Sequence, residues 1–137
     1  MERLRIAVAE DEWLLAEQLC AQLESLGHEV VGIARTGPEL MATVTRERPD
    51  LALVDIRLAR GSDGLAAAKR IWEQLRVPAI AATGHLTADE AQAAGLLGLL
   101  RKPLTRARLQ PVLSSVSEWL KTGRHATAPG SPPFFEG

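Results

Sequence analysis

The sequence predicts an α/β domain with a doubly wound, five-stranded parallel sheet in the order 2-1-3-4-5 and helices on both faces. Apolar, strand-like runs alternate along the chain with segments of helical periodicity, and this alternation is typical of parallel sheets covered by helices. The run over residues 51–54 is apolar at every position. A continuous run of this kind is expected of a strand that is buried on both faces.

Five strand and helix pairs follow one another from the N-terminus. Strands are predicted at residues 4–9, 28–34, 51–58, 79–82 and 96–100, and helices at residues 13–26, 36–48, 65–75, 87–94 and 105–120. Gly27 lies where the first helix should stop, and Thr36 is a candidate N-cap for the second. Pro111 predicts either a kink in the last helix or a start nearer Leu109.

Length and composition indicate one domain over residues 1–120 and a disordered tail over residues 121–137, which is rich in Gly, Pro, Ser and Thr. The 16 basic and 17 acidic residues nearly balance, which argues against bulk attraction to nucleic acid or anionic lipid. Cys20 is the single cysteine, so no internal disulfide is possible. The sequence shows no signal peptide or membrane span, so we expect a cytoplasmic location.

Polar residues follow the predicted strands at the points where these strands end. Glu10 and Asp11 follow the first strand, Asp55 ends the third, Thr83 the fourth and Lys102 the fifth. Each has an ordinary explanation alone, such as a helix cap or a solvated charge at the rim of the sheet. Ligands bind doubly wound sheets beyond the carboxyl ends of the strands. The five residues together therefore predict a site at that edge.

Three crowded carboxylates repel one another unless a cation is present, and Mg²⁺ is the hard cation that best suits carboxylates and phosphate oxygens. A carboxylate beside Mg²⁺ can attack a phosphorus atom and form an acyl phosphate. Thr83 and Lys102 would supply donors for the charge on the transferred group. The residues thus indicate phosphoryl transfer to one of the carboxylates at this site.

These motifs resemble the receiver domain of bacterial two-component response regulators, whose fold is flavodoxin-like (CheY-like). The resemblance covers residues 3–120 and rests on the residues above together with Asp63-Gly64, Thr83-Gly84 and Lys102-Pro103. It implies that Asp55 accepts a phosphoryl group from a histidine kinase. It also implies that Asp11, Asp55 and the backbone carbonyl of Arg57 bind Mg²⁺, with Glu10 acting through water. Thr83 and Lys102 would hold the phosphoryl group.

The chain departs from the family pattern in two places. Leu99 stands three positions before the lysine, where the family usually carries a Tyr or Phe that moves with the threonine. The segment from Thr83 to Lys102 is shorter than usual, which implies a clipped helix there and a different output surface. Residues 78–85, PAIAATGH, partly match the "PFxFATGY" subgroup, whose members often consist of a single domain.

The expected function is that of a single-domain receiver that switches protein contacts and is not an enzyme acting on other molecules. Expected partners are a sensor histidine kinase or a histidine phosphotransfer protein, and a protein target, with no direct binding of DNA or membranes. Homodimerisation stays open. The alternatives are a phosphorylation-independent pseudo-receiver and a phosphate sink for a shared kinase. Arg57 lies where dehalogenase-type phosphatases need a second acid, and residues 10–12 would repel the phosphate of a flavodoxin-type cofactor.

Overall fold

The computed structural model describes residues 3–58, 63–83, 89, 95–122 and 134–135. The strands are β1 (Arg5–Ala9), β2 (Glu29–Ala34), β3 (Leu51–Asp55), β4 (Ala79–Thr83), β5 (Gly98–Arg101) and β6 (Phe134–Phe135). The helices of the described ranges are α1 (Trp13–Ser25), α2 (Gly37–Glu47), α3 (Gly64–Leu75) and α4 (Arg106–Thr122). None of these helices has the length and apolar character that crossing a membrane requires.

The strands form one sheet in the order β2-β1-β3-β4-β5-β6. Neighbouring strands run parallel throughout. The predicted order 2-1-3-4-5 is therefore confirmed for the first five strands. All carboxyl ends lie at the same edge, so the residues that follow each strand are brought together there.

The central strand β3 separates two apolar cores, because successive side chains of a strand point to opposite faces. Leu51 and Leu53 pack into a cluster with residues of α1 and α4. Ala52 and Val54 pack on the other face with residues of α2 and α3. All five residues of β3 are buried. The apolar run thus belongs to a strand covered on both faces, as predicted.

Local capping explains where the helices begin. The Thr36 hydroxyl accepts a hydrogen bond of 3.2 Å from the amide of Glu39 and caps α2. Asp63 caps α3 in the same way, since its Oδ1 accepts from Leu65 N at 2.9 Å and Ala66 N at 3.3 Å. Gly27 follows α1 with a φ of +93°, a conformation that favours glycine. These caps agree with the predicted start of α2 and the predicted end of α1.

The last helix matches its predicted range of residues 105–120 to within two residues at each end. It begins at Arg106 and contains Pro111 in its second turn, so the alternative start near Leu109 is wrong. The amide of Leu109 donates to the carbonyl of Thr105 at 2.8 Å, which establishes the first turn ahead of the proline. Pro111 is exposed.

Two predicted segments late in the chain lie mostly outside the described residues. The helix predicted at residues 87–94 lies outside the described residues apart from Asp89. Of the tail predicted as disordered over residues 121–137, Lys121 and Thr122 belong to α4, and Phe134–Phe135 pair with Gly98 and Leu99 as β6. The other residues of this tail lie outside the described residues. The sequence does not predict this sixth strand. Without it, β5 would be an edge strand with unpaired backbone groups, which an extended dipeptide can satisfy.

Candidate functional site

Strand register brings the predicted acids together. Ala9 of β1 lies opposite Val54 of β3, so the next residues, Glu10 and Asp55, are neighbours at the carboxyl edge. Asp11 follows directly. One carboxylate oxygen from each of the three acids lies within 4.8 Å of the other two. The convergence of Glu10, Asp11 and Asp55 that the strand ends predict is thus present.

Asp55 is largely buried, with 9% of its surface exposed. Its Oδ1 accepts a hydrogen bond of 3.0 Å from the amide of Arg57. Its Oδ2 accepts one of 2.7 Å from the ammonium of Lys102. Both oxygens are therefore oriented by the protein, one by backbone and one by a cationic side chain.

Lys102 reaches Asp55 across β4. Ala82 of β4 lies opposite Asp55 on one side and Leu100 of β5 on the other. Two strand spacings of roughly 4.8 Å each separate β3 from β5, a gap that a lysine side chain can cross above a small residue. The Nζ also lies 3.6 Å from Glu10 Oε1. Lys102 therefore bridges the carboxylates of Asp55 and Glu10.

Burial and the contacts around Lys102 shift the pKa values of Glu10 and Lys102. Burial, reinforced by the nearby charge of Asp55, raises the pKa of Glu10 to about 7, although the amide of Glu12 and the charge of Lys102 oppose the shift. Burial by itself would lower the pKa of Lys102, but the hydrogen bond and charge of Asp55, together with Glu10, raise it overall. The lysine therefore stays cationic, whereas Glu10 exchanges its proton near neutral pH.

The segment after β3 is fixed by close backbone contact with α3. The amide of Gly64 donates to the carbonyl of Ile56 at 2.9 Å, and Arg57 forms an antiparallel bridge with Asp63. A Cβ at position 64 would overlap the carbonyl oxygen of Asp55. The predicted Asp63-Gly64 motif thus holds the backbone that includes the Arg57 carbonyl.

Thr83 ends β4 opposite Arg101 of β5. It follows Ala82, the residue paired with Asp55, so its backbone reaches the edge of the sheet that holds the acids. The side chain of Thr83 lies outside the described part of the chain. Its predicted contact with a phosphoryl group therefore stays a prediction.

A cavity of about 110 Å³ opens beside the acids. Glu10, Asp55 and Lys102 line one part, and apolar residues that include Leu15 and Leu104 line another. The sequence did not predict this apolar lining of the cavity. The leucines of α1 recur at helical spacing, a pattern that is typical of side chains facing the core. Leu15 is 38% exposed, and the neighbouring Trp13-Leu14 pair was the available signal that this end of α1 is apolar towards solvent.

Comparison with known proteins identifies the family of this chain. The family model of the response regulator receiver domain matches residues 6–114. The chain is 36% identical over 128 residues to the phyllosphere-induced regulator PhyR of Methylorubrum extorquens, covering 90% of this chain and 47% of that protein. The chain thus spans about half the length of this curated relative.

Solved structures agree as well. The signal receiver domain of a modulated diguanylate cyclase from Desulfovibrio desulfuricans G20 matches with a TM-score of 0.79 and 31% identity, covering 88% of this chain and 98% of that one. The anti-anti-sigma factor PhyR from Bartonella quintana matches with a TM-score of 0.77 and 30% identity, covering 92% and 52% respectively. The chain described here belongs to the response regulator receiver domain family.

Proposed function

We propose that this chain is a phosphorylation-switched receiver in which Asp55 accepts a phosphoryl group in a Mg²⁺-dependent reaction. The donor is a sensor histidine kinase or a histidine phosphotransfer protein. The observation that carries the proposal is the environment of Asp55, a buried carboxylate that contacts a lysine and lies beside two further acids. The cytoplasmic location expected from the sequence is part of this proposal.

The residues support a balanced transfer step. A carboxylate oxygen of Asp55 forms a bond to phosphorus while the nitrogen–phosphorus bond of the donor phosphohistidine breaks, and the released imidazole takes up a proton. Lys102 holds Asp55 Oδ2 at 2.7 Å before transfer. Its ammonium then moves to a phosphoryl oxygen, where the hydroxyl of Thr83 is the second proposed donor.

The acid cluster fits a hard divalent cation. Three carboxylates share this edge, and their mutual repulsion favours a bound cation. Burial, and to a smaller extent the charge of Asp55, raises the pKa of Glu10. Asp11, Asp55 and the carbonyl of Arg57 would hold Mg²⁺, and Glu10 would act through water. When bound, the ion neutralises charge on the phosphoryl oxygens.

The surface beside the site supports protein partners. Trp13 and Leu14 follow the acids directly and are 74% and 60% exposed. Exposed apolar side chains that follow the acids of β1 in the chain suit a partner that must bring a phosphohistidine to Asp55. A structural relative is described as an anti-anti-sigma factor. By analogy, we propose that the output of this chain is also a protein contact and not DNA binding.

The test is intact mass after incubation with acetyl phosphate, with and without Mg²⁺. The wild type should gain one phosphoryl group only with Mg²⁺, and Asp55→Asn should gain none while keeping its fold. Asp63→Asn is the matched control, because Asn caps a helix about as well as Asp. It should be labelled like the wild type.

Three other outcomes would contradict or change the proposal. Labelling of folded Asp55→Asn at the wild-type rate would contradict the assignment of Asp55. No labelling under any condition would favour a phosphorylation-independent interaction module. The fully buried Leu99, in the place of the usual aromatic, already favours that second candidate. Rapid loss of the label without any change in partner binding would indicate a phosphate sink.

A further inference from the structure

Arg108 contacts the backbone on both sides of Lys102. Its Nη1 donates to the carbonyl of Arg101 at 2.7 Å and to the carbonyl of Pro103 at 3.0 Å. One guanidinium nitrogen carries two hydrogens, so it can serve both carbonyls at once. The carbonyls of the residues before and after Lys102 are therefore tied to the same side chain.

Arg108 is itself firmly placed. Its amide donates to the carbonyl of Thr105 at 3.1 Å and to the Thr105 hydroxyl at 3.3 Å. The next residue, Leu109, is fully buried in the core beneath α4. The contact with the Lys102 segment is thus anchored to the hydrophobic core.

An arginine at position 108 is unfavourable for the stability of α4. The first turn of a helix carries a partial positive charge, and acidic side chains are preferred there. The first turn of α4 contains no acid and places Arg108 there instead. Contacts with the two carbonyls offset this cost, so helix stability does not explain why an arginine stands here.

We infer that Arg108 is a positioning residue that presents the ammonium of Lys102 to Asp55. Lys102 must cross β4 to reach Asp55 Oδ2 at 2.7 Å and Glu10 Oε1 at 3.6 Å. Its own backbone lies between the end of β5 and the start of α4. Fixing the carbonyls before and after this backbone removes the freedom that would let the side chain leave the acids. This inference deepens the proposed function, on which the role of Lys102 rests.

The test measures how fast the Lys102 amine is acylated by a limiting amount of an acetyl N-hydroxysuccinimide ester, followed by peptide mass mapping. The sequence contains lysines at positions 69, 102 and 121, so Lys69 and Lys121 are internal references. The reaction needs no phosphoryl donor. A failure of the inference is therefore distinguishable from a failure of the proposed phosphorylation.

Arg108→Gln should speed Lys102 acylation by about three- to tenfold relative to Lys69, because less of the amine is then held in the charge-assisted hydrogen bond to Asp55. Arg106→Gln is the matched control, since it removes the same charge from an exposed position in the same turn, and should leave the rate unchanged. Arg108→Lys keeps a donor but lacks the guanidinium geometry. It should give an intermediate rate, and it replaces Arg108→Gln if the latter does not fold.

A second background separates positioning from general support. Asp55→Asn should itself speed Lys102 acylation, and adding Arg108→Gln should then have little further effect. An equal increase in both backgrounds would mean that Arg108 only stabilises the segment, which overturns the inference. So would an unchanged rate in Arg108→Gln, or the same increase in Arg106→Gln.

Discussion

The site consists of two halves that the fold positions in different ways. The acid half, formed by Glu10, Asp11 and Asp55, comes from the adjacent strands β1 and β3, so strand register alone brings its members together. The cation half is Lys102, which approaches across β4 from a segment between β5 and α4. The acid half depends on the sheet, whereas the cation half depends on side-chain contacts with the backbone around it.

The acid half should be broken most severely by Gly64→Ala. The added methyl group would overlap the carbonyl oxygen of Asp55, which belongs to the sheet backbone and cannot move aside easily. We expect the free energy of unfolding to fall by about 3 kcal/mol or more, with loss of Asp55 labelling. Urea denaturation measures the first effect and intact mass the second.

Gly27→Ala is the control for that substitution. Gly27 has a positive φ, but a Cβ there would meet nothing within 4 Å. Its cost should be about 1–2 kcal/mol, from backbone conformation alone, and labelling of Asp55 should persist. Equal costs for the two variants would show that the contact between Gly64 and Asp55 does not constrain the acid half.

The charge of Glu10, in the acid half, should make the free energy of unfolding depend on pH. The folded state binds the proton of Glu10 more tightly than the unfolded chain, because its pKa rises from 4.5 to about 7. The resulting stabilisation is full below pH 4.5 and is lost as the pH rises through about 7. Glu10→Gln should therefore be more stable than the wild type at pH 8, by about 1–2 kcal/mol.

Urea denaturation between pH 4 and 8 measures this effect. Glu10→Gln should lose the part of the pH slope that Glu10 contributes, and Glu12→Gln, at an exposed neighbouring position, should keep it. Added Mg²⁺ should reduce the wild-type slope, because a bound cation favours the ionised carboxylates. If the stability of Glu10→Gln depends on pH as steeply as that of the wild type, another group titrates in this range.

The smallest expected effects compare the helix caps next to each half. Asp63→Ala removes the cap of α3 beside the acid half, and Thr105→Ala removes the hydroxyl that accepts from the amide of Arg108. Each should cost about 1 kcal/mol in urea denaturation. Asp63→Ala should weaken Mg²⁺ binding measured by calorimetry, whereas Thr105→Ala should leave it intact and speed acylation of Lys102. The opposite pattern would contradict the separation of the two halves.

The sequence predicts the acid half well, because apolar runs mark the strands and the acids stand where these runs end. The position of Lys102 after β5 follows from the same pattern. The sheet order was assumed from the common doubly wound topology, and the structure confirms it for β1 to β5. These features depend on local periodicity and on one general rule about parallel sheets.

Other features depend on contacts that no local pattern encodes. The approach of Gly64 to Asp55 and the hydrogen bonds from Arg108 to the carbonyls around Lys102 exist only once α3 and α4 have packed on the sheet. The start of α4 at Arg106 shows that a cap at Thr105 and a buried Leu109 outweigh the effect of Pro111. The sequence does not predict β6, because the segment around Phe134–Phe135 is rich in Gly, Pro, Ser and Thr, which is typical of disorder.

The position of β6 has a practical consequence for experiments on this chain. Phe135 lies two residues before Gly137 and pairs with Leu99, three residues before Lys102. An affinity tag fused after Gly137 would therefore start two residues beyond the strand that pairs with β5. The start of β1 lies at the opposite edge of the parallel sheet, away from the acids. Protein for the labelling and acylation measurements should thus carry its tag at the N-terminus.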